Sequence, residues 1–382
     1  MRKIGILTYF WSDNNGTFLQ AYSTMKACQR WFPQHRVELI NLRQRHIFWH
    51  PAKRDVNPHY LLTDWGRSRI FKRCRREHLA LSPGGFITTD YDKAAAYVAA
   101  QNYDLVVVGA DVILQMLDGY LKRGQPPIYW LPPTLKCRKV VCAGSAGTMT
   151  YESLSEPMRK RLAESIQAYD LVGVRDDVTH TLMEALGLRG DPRLQRVPDP
   201  TFTFDIDPAP AEEAVKRFGI DLSRPTIGTS LPMGRADCAA VINHYRSQGF
   251  RTVSLESPVP ADYWLWNMSP FEWAGVHRFF RFSITDRFHG TVFNLKNGTP
   301  LFAMDRATQF TRTGESKKYS LLKQFGLEKT NHINIEQTTD LQEIIQKCDA
   351  AVAAFDRQKV LDKAALLRRE YEAFLDKVAA LL

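Results

Sequence analysis

Cysteine is scarce and scattered in this chain of 382 residues. Its six thiols (Cys28, Cys74, Cys137, Cys142, Cys238 and Cys348) form no C-x-x-C pair, which excludes a zinc ribbon and a disulfide framework and points to reduced thiols in a cytosol. No apolar run approaches the roughly 18 residues of a membrane span. The start from Met1 to Leu7 is followed by Ser12-Asp13-Asn14-Asn15, where a signal peptide needs a small-residue cleavage site. Glycine and proline, 22 and 20 residues, together make up roughly a tenth of the chain, too little for a collagen-like or disordered protein. There is no internal repeat, no G-x-G-x-x-G fingerprint and no cluster of ligand residues at metal spacing. A soluble, cytoplasmic, globular protein is expected.

What is present is an ordinary globular composition, 44% apolar and 24% charged, with 51 basic against 41 acidic residues, a net charge of +10. That excess favours anionic partners, but no nucleic-acid-binding module accompanies it, so nucleic acid is not an expected partner. The length exceeds one ordinary domain and predicts two.

Short apolar runs at Lys3–Thr8, Val37–Leu42, Leu105–Val108, Val140–Ala143 and Leu171–Val174 alternate with helical stretches such as Thr17–Trp31 and Glu156–Ala168. The alternation predicts an α/β fold with a largely parallel sheet. A proline-rich break at Asp205 to Pro210 places a boundary near 205, after which the pattern restarts with strands at Thr226–Leu231, Thr252–Leu255, Phe282–Thr285 and Leu301–Ala303 and helices at Ala236–Ser247, Phe271–Phe280 and from about Gly290. The expected division is residues 1–205 with a basic insertion at 45–85, residues 206–345, and a terminal amphipathic helix over 346–382 packing across both. A membrane-surface contact is the rival role for that last segment. In the insertion, Arg67, Arg69, Lys72, Arg73, Arg75 and Arg76 read either as a solvated helical face or as a contact for an acidic acceptor.

Candidate functional residues gather where strands end. Asn14, Asn15 and Gly16 follow the first strand, where backbone N–H groups at a helix start can hold an anion or a sugar hydroxyl; a plain N-cap turn is the alternative. Asp111 ends Leu105–Val108 and can orient a hydroxyl or cap a helix. The small residues of Cys142 to Thr148, Ser145 among them, suit either close ligand approach or tight packing. Arg175 ends Leu171–Val174 as a bidentate clamp for phosphate or carboxylate, or else pairs with Asp176 or Asp177. The densest group is Thr285-Asp286-Arg287-Phe288-His289-Gly290-Thr291, with a cation for an anion, an imidazole for proton transfer and a glycine for close approach.

That motif, with Lys3 to Thr8 leading into Asn14-Asn15-Gly16-Thr17-Phe18-Leu19-Gln20-Ala21, resembles the polysaccharide pyruvyl transferase family. Tyr103-Asp104, Val108 to Asp111, Val174-Arg175-Asp176 and Pro198-Asp199-Pro200-Thr201 resemble its intervening landmarks in order, so the likeness runs from about residue 3 to 327. The resemblance implies two Rossmann-like domains facing a cleft in a glycosyltransferase-B-like arrangement. It also implies transfer of the pyruvyl group of phosphoenolpyruvate (PEP) to a sugar as a ketal, with no cofactor and no metal. Arg287 and His289 correspond to the family's active-site arginine and histidine. Arg175, Ser145, Gly290 and Thr291 join Arg287 on the donor side, and Asn14, Asn15, Gly16 and Asp111 make the acceptor side. Many relatives carry Gly-Ser-Asp and an aromatic where this chain has Gly109-Ala110-Asp111-Val112, which bears on the acceptor. The acceptor is expected to be a sugar or a nucleotide-linked or lipid-linked glycan, with peripheral membrane association compatible. The alternatives are a nucleotide-sugar glycosyltransferase of the same fold and a catalytically silent glycan-binding protein.

Overall fold

The computed structural model describes residues 1–44, 58–116, 118–121, 123–231, 236–256, 259–305, 315–335 and 340–382. The first sheet contains β1 (Lys3–Leu7), β2 (Arg36–Leu39), β5 (Leu105–Val108), β6 (Arg138–Gly144), β7 (Leu171–Val174) and β8 (Leu194–Arg196), in the order β2-β1-β5-β6-β7-β8. All its pairings are parallel. Its central strands carry unbroken apolar runs, Leu105–Val108 in β5 and Val140–Ala143 in β6, because helices cover both faces and the strands cannot alternate. A two-residue side pairing joins β3 (Leu42–Arg43) to β4 (Phe86–Ile87), so the run from Val37 to Leu42 is split between two sheets.

The second sheet is also all parallel, with β9 (Thr226–Ser230), β10 (Arg251–Ser254), β11 (Tyr263–Trp264), β12 (Phe282–Thr285), β13 (Leu301–Asp305) and β14 (His332–Asn334) in the order β11-β10-β9-β12-β13-β14. In both sheets the order turns back beside the first strand. The crevices at the carboxyl ends of β1 and β5, and of β9 and β12, are therefore the places where such sheets bind ligands.

Helix α1 (Asn15–Trp31) follows β1, and α10 (Phe288–Asn297) follows β12. The helix read at Phe271–Phe280 is α9 (Pro270–Val276) and a 3₁₀ turn, and the terminal segment is two helices, α12 (Leu341–Ala353) and α13 (Arg357–Ala379), each opened by an aspartate cap. Between the sheets the core is continuous: Phe18 and Tyr22 of α1 stack edge-on against Phe271 of α9 at 5.7 and 5.3 Å, and Ile4, Phe18, Trp273, Phe293 and Phe374 belong to one buried cluster. α13 extends this join. The Cys142 thiol of β6 donates to the Tyr371 hydroxyl over 3.3 Å, Trp31 donates to Asp376 over 2.8 Å, and Val360 and Leu367 pack among Phe202, Leu295 and Leu322. The lobes thus meet over a filled hydrophobic seam.

Helix α2 (Pro58–His78) lies within the basic insertion, of which residues 45–57 fall outside the described residues. Phe71 and Cys74 are buried on its inner side, and Arg67 and Arg75 reach the loop after β1: Arg67 donates to the Asp13 carbonyl over 3.1 Å and Arg75 pairs with the Asp13 carboxylate at 2.9 Å. Among the described residues no helix is long and apolar enough to cross a membrane.

Candidate active site

Asn14 caps α1 by accepting from the Thr17 N–H over 3.0 Å, so the helix begins one residue before Gly16. His289 arrives there from the other lobe on the first turn of α10. A Cβ on Gly16 would stand 2.1 Å from His289 Nδ1, so only glycine lets the start of α1 touch the imidazole. Asn15 is buried beside it, and its side-chain nitrogen and oxygen have no hydrogen-bond partner among the described residues.

On the other side of the ring, His289 Nε2 lies 3.7 Å from the buried Asp199 carboxylate. Asp199 is fixed from three directions: Oδ1 accepts from the Thr201 N–H and hydroxyl at 3.0 and 2.6 Å, and Oδ2 from Arg175 Nη1 at 2.6 Å. Burial opposes its charge, but His289, Arg175 and Thr201 together hold its carboxyl well below the usual carboxylate range.

Arg175 is not the free donor clamp expected from the sequence. Its guanidinium is buried, given over to Asp199 and, at 3.5 Å, to Asp111, and it lies 4.5 Å from the centre of the Phe288 ring. Those partners come from loops after β5 and β8, so pairing with Asp176 or Asp177 is also not what is found; Asp176 caps α6 (Asp177–Met183) instead. Asp111 has φ 78, a left-handed conformation costly for an aspartate. It follows Gly109, where a Cβ would stand 1.8 Å from the Cys142 carbonyl oxygen. The tight approach of β5's end to β6 thus turns the Asp111 carboxylate toward Arg175, with the Thr17 hydroxyl donating to it over 3.4 Å. Asp111 is also held below its usual range: the attraction of Arg175, His289 and Lys317 outweighs desolvation.

Next to this cluster is a cavity of about 260 Å³ between the lobes. One wall is Val112, Gln115, Gly147 and Thr148; the other includes Arg287, Phe288, Lys317 and Lys318. Arg287 is half exposed, its Nε 3.0 Å from Glu256 and 3.2 Å from Asp286. Lys318 is spent on structure, binding Asp305 and the carbonyls of Asp286 and Met304. Lys317, the first residue of α11 (Lys317–Phe325), makes no ion pair with the described residues and faces Phe288 at 5.5 Å. Burial, reinforced by Arg175 and Lys318, pulls its pKa down to about 8.

Three other expected donor residues do not face this space as ligands. Ser145 is fully buried and accepts from the Gly147 N–H over 3.1 Å, shaping the turn that lines the cavity. The Thr291 hydroxyl donates to the Arg287 carbonyl over 3.0 Å inside α10. Gly290 is buried, and a Cβ there would meet the Thr285 hydroxyl at 2.5 Å, so the glycine serves close packing. Asp199, Lys317 and Glu256 were not singled out as site residues from the sequence. Only the family likeness of Pro198-Asp199-Pro200-Thr201 marked the first; nothing in local pattern marks the others. Among the described residues no group of three or more His, Cys, Asp and Glu could hold a metal ion.

The family model for polysaccharide pyruvyl transferase matches residues 16–308, which include Gly16, Asp111, Arg175, Asp199, Arg287 and His289. The chain belongs to the polysaccharide pyruvyl transferase family. No curated protein matches it. Among solved structures, UDP-GlcNAc 2-epimerase from Methanocaldococcus jannaschii is similar with a TM-score of 0.55 at 8% identity, over 100% of both chains. HepE from Anabaena, in complex with UDP, gives 0.54 at 10% identity, again over 100% of both. The calicheamicin glycosyltransferase CalG4 gives 0.51 at 13% identity, over 100% of this chain and 98% of that one. The fold of this pyruvyl transferase family member is accordingly the glycosyltransferase-B arrangement.

The Gly16 contact makes a direct test. Gly16→Ala must push the imidazole or α1 aside, and displacement of a reacting group by about 1 Å costs on the order of 10²-fold in rate. Turnover of the variant is expected to fall by about that factor. Unchanged turnover would show that the imidazole does not act from this position.

Proposed function

We propose that this protein transfers the pyruvyl group of PEP to a pair of hydroxyls on a sugar acceptor, releasing inorganic phosphate and leaving a ketal, in the biosynthesis of a surface polysaccharide or related glycan. The observation that carries the reading is the small charged cavity, with Arg287 and Lys317 on a wall that also carries Asp286, Asp305 and Glu315, set against a His289–Asp199 pair held by both lobes. At about 260 Å³ the space suits a compact anion better than a nucleotide sugar, since pockets for larger ligands run from roughly 300 Å³ upward.

In this reading Arg287 and Lys317 hold the donor's phosphate and carboxylate, and Arg175 positions the two aspartates rather than binding the donor itself. His289 gives a proton to the methylene carbon of PEP, and the positive charge that develops at the neighbouring carbon is met by an acceptor hydroxyl. The first C–O bond forms there as the hydroxyl loses its proton to Asp111 or solvent. The second hydroxyl then attacks the same carbon, the C–O bond to phosphate breaks, and phosphate leaves with the second proton. No cofactor takes part in this sequence.

The test is release of phosphate from PEP across a panel of acceptors, with the product weighed by mass spectrometry for one pyruvyl ketal. Binding of a UDP-sugar together with no phosphate release from PEP would favour the glycosyltransferase alternative. A pH arm adds detail. Lys317 binds an anion only while protonated, so kcat/KM for PEP is expected to decline as pH rises through about 8, approaching tenfold per pH unit. Lys317→Gln should have a lower value throughout and lack that decline.

A further inference from the structure

The inner side of α2 is fixed to the loop that leads to Gly16, but its outer side has no such partner. Trp65, Arg69, Lys72, Arg73 and Arg76 recur there at helical spacing, and all five are exposed. The stripe covers eleven residue steps, or about 17 Å of helix. Among the described residues Trp65 is the most exposed large hydrophobic after Met1, at 61%, and its ring lies 4.6 Å from the Arg69 guanidinium. Arg69, Lys72 and Arg73 make no ion pair among the described residues; Arg76 has the exposed Glu77 at 3.2 Å. With Asn267 of the other lobe, these residues border an open groove of about 750 Å³.

We propose that this face of α2 is a docking surface for an anionic phospholipid bilayer. Charge complementarity and layout favour that occupant over one soluble anion. The cations are spread along the helix instead of converging on a point, so they match a plane of headgroups. A half-buried Ile70 and a projecting indole at one end suit the boundary between headgroups and acyl chains, where tryptophan prefers to sit. The groove gives the headgroups room beneath the helix. Because Arg67 and Arg75 tie the same helix to Asp13, a protein docked here holds the α1 start and the inter-lobe cluster in a fixed orientation to the surface. Docking does not depend on which donor the cavity takes.

The experiment is co-sedimentation of the full chain with vesicles of phosphatidylcholine, with and without phosphatidylglycerol. Binding is expected only to the anionic vesicles and should weaken as salt is raised. Each basic residue near such a surface is worth about a fivefold factor, so the double variant Arg69→Gln/Arg73→Gln should bind about thirtyfold more weakly with an unchanged melting temperature. Trp65→Ala should abolish the blue shift of fluorescence on binding. Equal binding to both vesicle types, or full binding by the double variant, would overturn the proposal. So would failure to bind vesicles together with tight binding of inorganic pyrophosphate that the double variant loses, which would make the face a site for a soluble phosphoanion.

Discussion

Replacing His289 with alanine is expected to lower turnover by about 10²- to 10⁴-fold while leaving the KM for PEP within a few-fold. The magnitude is that of general acid catalysis, and the split follows from where the ring sits. His289 is not among the residues lining the cavity, so its loss should leave the Arg287 and Lys317 wall intact. Its buried Nε2 has no hydrogen-bond partner among the described residues and faces the Asp199 carboxylate at 3.7 Å. The ring is 12% exposed, so the donor's methylene carbon reaches it only if the lobes part slightly or the ring turns at the cavity edge. Turnover in deuterated water separates this role from packing, since a proton donor governs how fast deuterium enters the new methyl group. A variant that retains near-full turnover and normal deuterium incorporation would make His289 a structural contact between lobes. A variant slowed equally at every step, with a lowered melting temperature, would do the same.

Much of this architecture could be read from the chain because parallel strands buried on both faces appear as unbroken apolar runs. β5 and β6 stand out in that way, whereas β8, β11 and β14 have two or three residues each and no pattern to find. The Arg-Phe-His-Gly motif was visible because its cation, imidazole and glycine are adjacent in sequence. What was hidden is long-range electrostatics. Arg175 meets Asp199 across 24 residues and Asp111 across 64, and neither separation has a local signature, so a strand-end arginine looked like an open fork. Lys317 was hidden for another reason: it looks like an ordinary first-turn lysine until the fold sets it, partly buried, against Phe288 and within reach of the Arg175 charge.

Removing Arg175 should therefore appear first as lost stability. Arg175→Met keeps much of the side chain's volume and its contact with Phe288, but strands Asp199 and Asp111 in a buried site without their shared cation. Breaking a buried pair by deleting one partner typically costs about 3–5 kcal/mol, because the remaining charge is neither solvated nor paired. Unfolding in denaturant should show a loss of that size near neutral pH. The pH dependence identifies the cause. In the native protein both carboxyls are held below their unfolded values, so their contribution is present above the usual carboxylate range and is lost only as pH falls through their depressed folded values. In the variant Asp111 loses its main cation and Asp199 loses the one that acts beside His289, while desolvation continues to oppose both charges, so they take up protons on acidification earlier than in the native protein. The gap between the two proteins should accordingly narrow as pH is lowered toward the carboxylate range. A gap that stays constant with pH would mean that the cost is one of packing. A variant as stable as the native protein, with a raised KM for PEP, would instead return Arg175 to the donor site as a direct ligand.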